Sequence, residues 1–343
     1  MNQAGNPPEL SRAERRVAAR RAGELDEIGP LPEVSDPVGQ VVVAALTPRA
    51  IKCRGKVNPA RFFPGFFQRL AERGHRGRIV FTAEDLTACC GPDTTLIHLF
   101  NEENIIPTDD EVAAAEAKVR CVFNGLTTGR IIGKKELTNH HLSGKGIPMP
   151  SLSPAEGVPV FSNAPASTSK PAWLVTDAGA LDEARYNTEF IDTTVTVNGK
   201  DYLTTLRLMA VGPTVVLPYL GIRRKDLARP SVHGVTTPHD ADLYNRVFRQ
   251  LYLDREDELR ALAVDLDRAL GHGFYHHDLL IERGTGRILL CEVGYKFDPF
   301  AFSEHMAPIK DGVPSLQPLY DGRFARDSAD AVLACFEAAA TRL

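Results

Sequence analysis

The sequence lacks any apolar stretch long enough to cross a bilayer, and its first twenty residues have no apolar core after their basic residues. We therefore expect neither a membrane-spanning segment nor a secretory signal. It also lacks an excess of positive charge, since 40 Lys and Arg stand against 44 Asp and Glu. Neither a membrane nor a nucleic acid is therefore expected as a partner of the main body.

The cysteines form no C-x-x-C pair and lie mostly among apolar residues. A chain of 343 residues can bury a core without covalent staples, so we expect buried thiols in a cytoplasmic protein. A redox-active vicinal disulfide between Cys89 and Cys90 is the alternative. The sequence also lacks a G-x-S-x-G elbow and a papain-like cysteine motif, which argues against those two nucleophile classes.

Strand and helix patterns alternate in the first third of the chain. Apolar runs at 41–46, 78–81, 94–101 and 121–124 predict strands, while 59–73 and 109–119 predict helices, the first interrupted at Pro64 and Gly65. Such alternation predicts a parallel sheet with helical crossovers, in an α/β domain over 39–130. Residues 1–38 form an arginine-rich arm and a linker, for which a solvated arm, a homodimer contact and an RNA- or membrane-binding arm are alternatives.

The pattern changes after residue 130. Residues 133–146 predict a helix that ends in glycine, and period-two alternation over 158–220 predicts antiparallel strands. One long helix is predicted over 244–270, a hairpin with its turn at 283–286 follows, and 327–343 predicts a terminal helix. We divide this part into a subdomain over 131–185 and a C-terminal domain over 186–343.

The hairpin carries two carboxylates among apolar residues. Asp278 lies on its first strand and Glu292 on its second, with the turn midway between them. Facing carboxylates in apolar surroundings repel each other unless they are paired, protonated or bound to a cation. Magnesium prefers such oxygen ligands together with nucleotide phosphates. Two solvent-facing strand residues are the alternative.

In order and spacing, the segments over about 41–299 resemble the ATP-grasp superfamily. The matching pieces are a parallel α/β domain, a helix with Lys135, an extended exit at 146–150, a strand at 188–192, Arg207 on a following strand, and the hairpin with Asp278 and Glu292. The resemblance implies an ATP-grasp-like fold, in which an N-terminal parallel α/β domain precedes α+β domains with antiparallel sheets. It also implies ATP and Mg²⁺ as cofactors.

The resemblance assigns roles to residues of this chain. Asp278 and Glu292 would hold the metal, and Lys135 would contact the nucleotide phosphates. The adenine and ribose would be bound by Glu189, Phe190, Ile191 and Asp192. The phosphoryl group in transfer would be neutralised by Arg207, Arg223 and Arg224, and His276 would contact phosphate or substrate.

Two departures from the family pattern stand out. The family's E-x-N is Glu292-Val293-Gly294 here, and glycine has no side chain with which to ligate a second metal ion. Asn163 stands where the family has a second lysine, so Lys170 and Ser169 are the nearest residues that could reach a phosphate. The lid of this chain is therefore expected to be short.

The resemblance implies an ATP-dependent ligase that activates a small-molecule carboxylate as an acyl phosphate and couples it to an amine or a thiol. Arg49, Lys52 and Arg54, after the first strand, could meet an anionic substrate. A non-catalytic nucleotide-binding relative is the first alternative. The second is a metal hydrolase that uses histidines near the acidic pair, namely His272, His276, His277 and His305.

Overall fold

The computed structural model describes residues 26, 28–44, 57–99, 109–165, 172–176, 181–226 and 237–341. Three β-sheets organise this part of the chain, one parallel and two antiparallel. The prediction of a parallel α/β unit followed by antiparallel sheets is therefore confirmed. The domain boundaries at residues 38, 130 and 185 stay a prediction.

The first sheet is parallel and has the strand order β2-β1-β3-β4. Its strands are β1 Gly39–Ala44, β2 His75–Val80, β3 Thr94–His98 and β4 Cys121–Phe123. Every residue of β3 is buried, as expected for a strand covered on both faces. Between and after these strands lie α1 Pro59–Glu72, α2 Ala83–Cys89, α3 Asp109–Glu116, α4 Leu126–Ile132 and α5 Lys135–Ser143.

Helix α1 continues through Pro64, so the predicted interruption is wrong. One face of the helix buries Phe62, Phe63, Phe66, Phe67 and Leu70. Burying several such side chains contributes about 1.5–3 kcal/mol each, which outweighs the roughly 3 kcal/mol cost of one internal proline.

Two antiparallel sheets follow. The smaller has the order β6-β5-β7, from β5 Val160–Asn163, β6 Trp173–Val175 and β7 Tyr186–Glu189. The larger has the order β10-β9-β11-β12 with β8 also paired to β9, from β8 Thr194–Val197, β9 Lys200–Val211, β10 Thr214–Arg224, β11 Phe274–Ile281 and β12 Ile288–Gly294. Backbone hydrogen bonds join the two sheets through 147–151 and 189–192, which position the candidate site.

The predicted long helix over 244–270 is two helices, α6 Ala241–Leu251 and α7 Glu256–Leu270, separated by a short 3₁₀ turn at Leu253–Arg255. The break has a sequence cause that the periodicity does not show. Glu256, Asp257 and Glu258 stand in the first turn of α7, where negative charges favour a new helix N-terminus. The apolar stripe continues across the break, so its period alone predicts one helix.

The chain ends with α8 Phe300–Met306, two 3₁₀ turns at Ala307–Gly312 and Pro314–Leu319, and α9 Arg323–Ala340. Helix α9 packs against α1. Arg69 of α1 forms an ion pair with Asp330 of α9. The last helix therefore contacts the N-terminal unit. Among the described residues, no helix is both long and apolar enough to span a membrane, and Cys89 and Cys90 are free thiols.

Candidate functional site

Four polar side chains lie in one row across the larger antiparallel sheet. Tyr219 on β10 pairs in register with Arg207 on β9, which pairs with Asp278 on β11, which pairs with Glu292 on β12. Directly opposite residues of antiparallel strands present their side chains to the same face. The sheet therefore gathers one guanidinium, one phenol and two carboxylates on one face.

A β-bulge places Glu292 in this row. On the turn side of the hairpin Leu279 pairs with Leu290, whereas beyond it Asp278 pairs with Glu292, so Cys291 is the additional residue. Without the bulge Asp278 would stand opposite Cys291, and Glu292 would point to the other face of the sheet. One inserted residue thus brings the two carboxylates together.

Asp278 is held by Arg207. The guanidinium Nε donates to one carboxylate oxygen, and Nη2 donates to the other at 2.6 Å. Nη1 donates to the hydroxyl of Tyr219 at 3.2 Å. Burial acts to lower the pKa of Arg207, but the charge of Asp278 raises it well above its ordinary value, so the arginine stays charged.

Glu292 is held by Lys135, the first residue of α5. The lysine Nζ lies 3.2 Å from Oε2 of Glu292. Lys135 is buried although the neighbouring Lys134 is exposed, because α5 turns the first lysine toward the sheet. The cavity beside the pair, which is also lined by Thr138, Met149 and Cys291, measures about 10 Å³, roughly the space of one water molecule.

His276 lies over Gly294. The two residues are paired in register, and a Cβ atom on residue 294 would come within 2.7 Å of the imidazole ring. The glycine that departs from the family pattern is therefore the residue that makes room for His276. Burial lowers the pKa of His276 to about 4, with a further lowering by Arg207, so the ring is neutral near pH 7.

The segment 189–192 connects the two antiparallel sheets and contacts the tip of the carboxylate hairpin. Glu189 accepts a hydrogen bond from the backbone N–H of Ser151 at 3.0 Å and lies 3.4 Å from Arg287 in the hairpin turn. The backbone carbonyl of Asp192 accepts from the N–H of Arg283 at 2.7 Å. The segment is therefore fixed to the same hairpin that carries Asp278 and Glu292.

The Asp192 carboxylate takes part in a polar network. Burial acts to raise its pKa, but hydrogen bonds from the hydroxyl and N–H of Thr194, with the charge of Lys225, lower it overall. Lys225 Nζ also donates to the Thr194 hydroxyl at 2.9 Å. Asp192 is thus an ionised acceptor beside the sheet, a suitable partner for hydroxyl groups.

The two other predicted arginines differ in position. Arg223 is buried and lies on the face of β10 that carries Tyr219, four residues away along the strand. Arg224 points to the opposite face, is exposed, and pairs with Asp226. The role of Arg223 stays a prediction, and Arg224 is not brought together with the polar row.

Five further residues of the sequence predictions lie outside the described part of the chain: Lys170, Ser169, Arg49, Lys52 and Arg54.

The four histidines of the hydrolase alternative do not converge. His277 is fully buried on the face opposite to Asp278, beside Tyr275. His272 pairs with Asp267, and His305 contacts His239 and the carbonyl of Thr237. Within the described part of the chain, no three His, Cys, Asp or Glu side chains are arranged to hold a metal ion. This geometry does not favour a histidine-ligated zinc site.

His272, which is partly exposed, forms a contact that predicts a pH dependence of stability. The Asp267 carboxylate, at 2.9 Å, and then the Cys335 thiol raise the pKa of His272 from 6.5 to about 10. Because its pKa is raised in the folded state, protonated His272 stabilises the fold. This contribution is complete below pH 6.5, the pKa in the unfolded state, and is lost as pH rises through about 10. We expect the free energy of unfolding, measured with urea, to fall between pH 6.5 and 10. A His272→Gln variant should show a flatter profile over that range, whereas an unchanged slope would contradict this explanation.

A larger cleft of about 310 Å³ lies at the N-terminal ends of β1 and β2, and its lining includes Arg76, Arg78 and Cys89. None of the predicted site residues lines it. We therefore locate the site at the polar row despite the greater volume of this cleft, because charged groups from three strands and a helix meet there, beside the phenol of Tyr219.

Tyr219 and Arg287 lie at the site, but the sequence patterns did not indicate them. A bulge in β10 determines the position of Tyr219, since Val216 is the additional residue there, and without it Arg207 would face Pro218. Turn-based counting of the register misses a bulge of one residue. Arg287 could have been found as the cation that directly follows the predicted hairpin turn at 283–286.

No family model matches the chain, and no curated protein matches it. Several solved structures do. A RimK domain ATP-grasp protein from Sphaerobacter thermophilus DSM 20745 is 18% identical, with a TM-score of 0.42, over 86% of this chain and 100% of that one. The chain is similar to ATP-grasp proteins.

Two further structures extend this likeness. The ATP-grasp ligase PsnB, solved with precursor peptide PsnA2 and AMPPNP, is 11% identical with a TM-score of 0.47, over 89% of this chain and 99% of that one. N5-carboxyaminoimidazole ribonucleotide synthetase from Thermotoga maritima is 12% identical with a TM-score of 0.39, over 75% and 69% of the two chains. These likenesses concern the fold, and the argument for an activity rests on the site.

Proposed function

We propose that the chain is an ATP-dependent ligase, which activates a small-molecule carboxylate as an acyl phosphate and couples it to an amine or a thiol. The proposed cofactors are ATP and Mg²⁺. The observation that carries the proposal is the polar row of the larger sheet, in which Arg207, Lys135 and two carboxylates meet on one face. Phosphoryl transfer depends mainly on such positioned charges and needs no protein nucleophile.

The proposed nucleotide position extends from 189–192 to the polar row. Backbone groups of this segment would bind the adenine edge, and Asp192 would accept from ribose hydroxyls. Lys135 would move from Glu292 to the phosphates, because an ammonium ion is a good partner for phosphate oxygens. In the structure its Nζ lies 3.2 Å from Oε2 of Glu292. Arg207 would stabilise the charge that develops on the transferred group.

The described residues fit a magnesium ion at Glu292. Its carboxylate is a hard oxygen ligand on the face of the polar row, and magnesium is usually bound by one or two carboxylates together with phosphates. Bound there, the ion would supply charge neutralisation for the phosphates. Glu292 would hold it in place, and Lys135 would remain close enough to contact the same phosphates.

A panel of carboxylates and amines, each incubated with the protein, ATP and Mg²⁺, tests the proposal. We expect phosphate release that depends on one class of carboxylate and increases when an acceptor amine or thiol is added. Tight nucleotide binding without turnover, for every carboxylate and acceptor, would instead support the second candidate, a non-catalytic nucleotide-binding relative. The glycine at 294 and the bidentate contact of Asp278 with Arg207 favour this second candidate more than the hydrolase.

Lys135 provides a test of the nucleotide position itself. Replacing it in a Lys135→Met variant should weaken ATP binding by about 1–3 kcal/mol, the scale of a lost charge-assisted hydrogen bond. Isothermal titration with a non-hydrolysable ATP analogue measures this affinity. Lys134→Met is the matched control, because Lys134 is adjacent but exposed, and its affinity should stay near that of the unmodified protein. Equal losses in both variants would contradict the assignment of Lys135.

A further inference from the structure

The two carboxylates of the polar row are held in different ways. Asp278 meets Arg207 through both of its oxygens, with side chains that are 6% and 19% exposed. Glu292 pairs with the ammonium group of Lys135, with Nζ 3.2 Å from Oε2, and not with a guanidinium that contacts both oxygens. A bidentate arginine pair is stronger and geometrically more constrained than a single lysine contact. The two carboxylates therefore differ in how readily they can exchange a protein cation for a metal ion.

Removing a charged partner from a buried pair is strongly unfavourable, because the remaining charge has lost its compensation. Arg207 is further restrained by its hydrogen bond to Tyr219, whose ring stacks on Phe302. Lys135, in contrast, has a flexible side chain and a compact charge that can move to a nearby phosphate. We therefore expect Glu292 to exchange its partner and Asp278 to keep it.

Arg207 retains donors for a ligand while it holds Asp278. A guanidinium has five N–H donors, and the contacts to Asp278 and Tyr219 use three of them. The remaining two can be given to a phosphate oxygen in an orientation that Asp278 and Tyr219 fix. This arrangement makes the carboxylate a support for the arginine.

On these grounds we propose that the site binds one divalent ion per chain, through Glu292, and that Asp278 is a positioning residue that orients Arg207 toward the phosphates. The proposal rests on the proposed nucleotide site and specifies its metal content. A second ion is not expected, because Asp278 is engaged by Arg207 and residue 294 has no side chain, its place being taken by the ring of His276.

Titration with Mn²⁺, followed by electron paramagnetic resonance of the unbound ion, counts the ions directly. The full chain is titrated with and without a non-hydrolysable ATP analogue, and nucleotide occupancy is measured separately by calorimetry. With nucleotide bound, we expect one Mn²⁺ per chain. Two tightly bound ions per chain would overturn the proposal, whereas absence of nucleotide binding would contradict the proposed function instead.

Variants separate the roles of the two carboxylates. With nucleotide bound, Asp278→Asn should keep one Mn²⁺ with an affinity within about threefold of the unmodified protein. Glu292→Gln should lose at least about tenfold, because loss of a residue that only supports a metal ligand already costs about 10–100-fold. Asp278→Asn should nevertheless bind the triphosphate more weakly while adenosine binding stays unchanged, an effect that general loss of structure does not produce. A loss of the ion in Asp278→Asn would overturn the proposal.

The titration without nucleotide keeps the proposal testable on its own. Arg207→Gln removes the guanidinium from Asp278, so that Asp278 and Glu292 can both act as ligands. The affinity of this variant for Mn²⁺ should therefore be higher than that of the unmodified protein by about tenfold or more. An unchanged affinity in a folded Arg207→Gln protein would overturn the proposal. Asp265→Asn serves as the control, because this exposed residue pairs with Arg268 on α7, away from the row. If Arg207→Gln does not fold, the ion count of the unmodified protein decides.

Discussion

A Glu292→Gln variant is expected to lose at least about 100-fold of its ATP-dependent turnover while keeping its fold, since removal of one positioned charge-stabilising group typically costs about 10²–10³ in rate. The amide keeps the shape of the side chain but neither attracts a divalent ion nor pairs with Lys135 in the same way. The rate of ADP formation at saturating nucleotide and Mg²⁺ is the measurement.

Glu258→Gln is the matched control for this variant. Glu258 is a surface residue of α7 that pairs with Arg255 three residues earlier, so its loss should leave the rate near that of the unmodified protein. Near-normal turnover of Glu292→Gln in this measurement would exclude Glu292 as the residue that holds the ion.

The second large effect concerns stability. Arg207→Met is expected to lower the free energy of unfolding by about 3–5 kcal/mol, the cost of removing one partner from a buried ion pair. Asp278, which is buried, would then lose the guanidinium that contacts both of its oxygens. Urea denaturation, followed by circular dichroism, measures the change.

The double variant Arg207→Met with Asp278→Leu provides the control, since apolar residues in place of both charges restore much of the stability lost by one. If Arg207→Met alone costs less than about 1 kcal/mol, the pair behaves as a surface ion pair, and the buried positioning role of Asp278 is wrong.

The type and order of the elements followed from local patterns in the sequence. Alternating short apolar runs and helices predicted the parallel sheet, because crossovers between parallel strands need a helix or a similar connection. The turn at 283–286 predicted the hairpin with Asp278 and Glu292, since alternating strands around a glycine-containing turn are a strong short-range signal. The structure contains both features.

The geometry of the site depended on features that local patterns do not encode. Cys291 and Val216 are inserted at single β-bulges, and each insertion exchanges the two faces of a strand beyond it. The ion pair of Lys135 with Glu292 joins residues 157 positions apart, so it requires the tertiary arrangement. Helix α9 likewise contacts α1 at the other end of the sequence.

Trapping with hydroxylamine tests the central claim most directly, because hydroxylamine captures acyl phosphates whatever the natural acceptor is. The protein is incubated with ATP, Mg²⁺, hydroxylamine and each member of a carboxylate panel, and hydroxamate and ADP are measured together. We expect one class of carboxylate to give hydroxamate and ADP in equal amounts, and Glu292→Gln to abolish both. Absence of hydroxamate with every carboxylate, from a protein shown to have ATP bound, would contradict it.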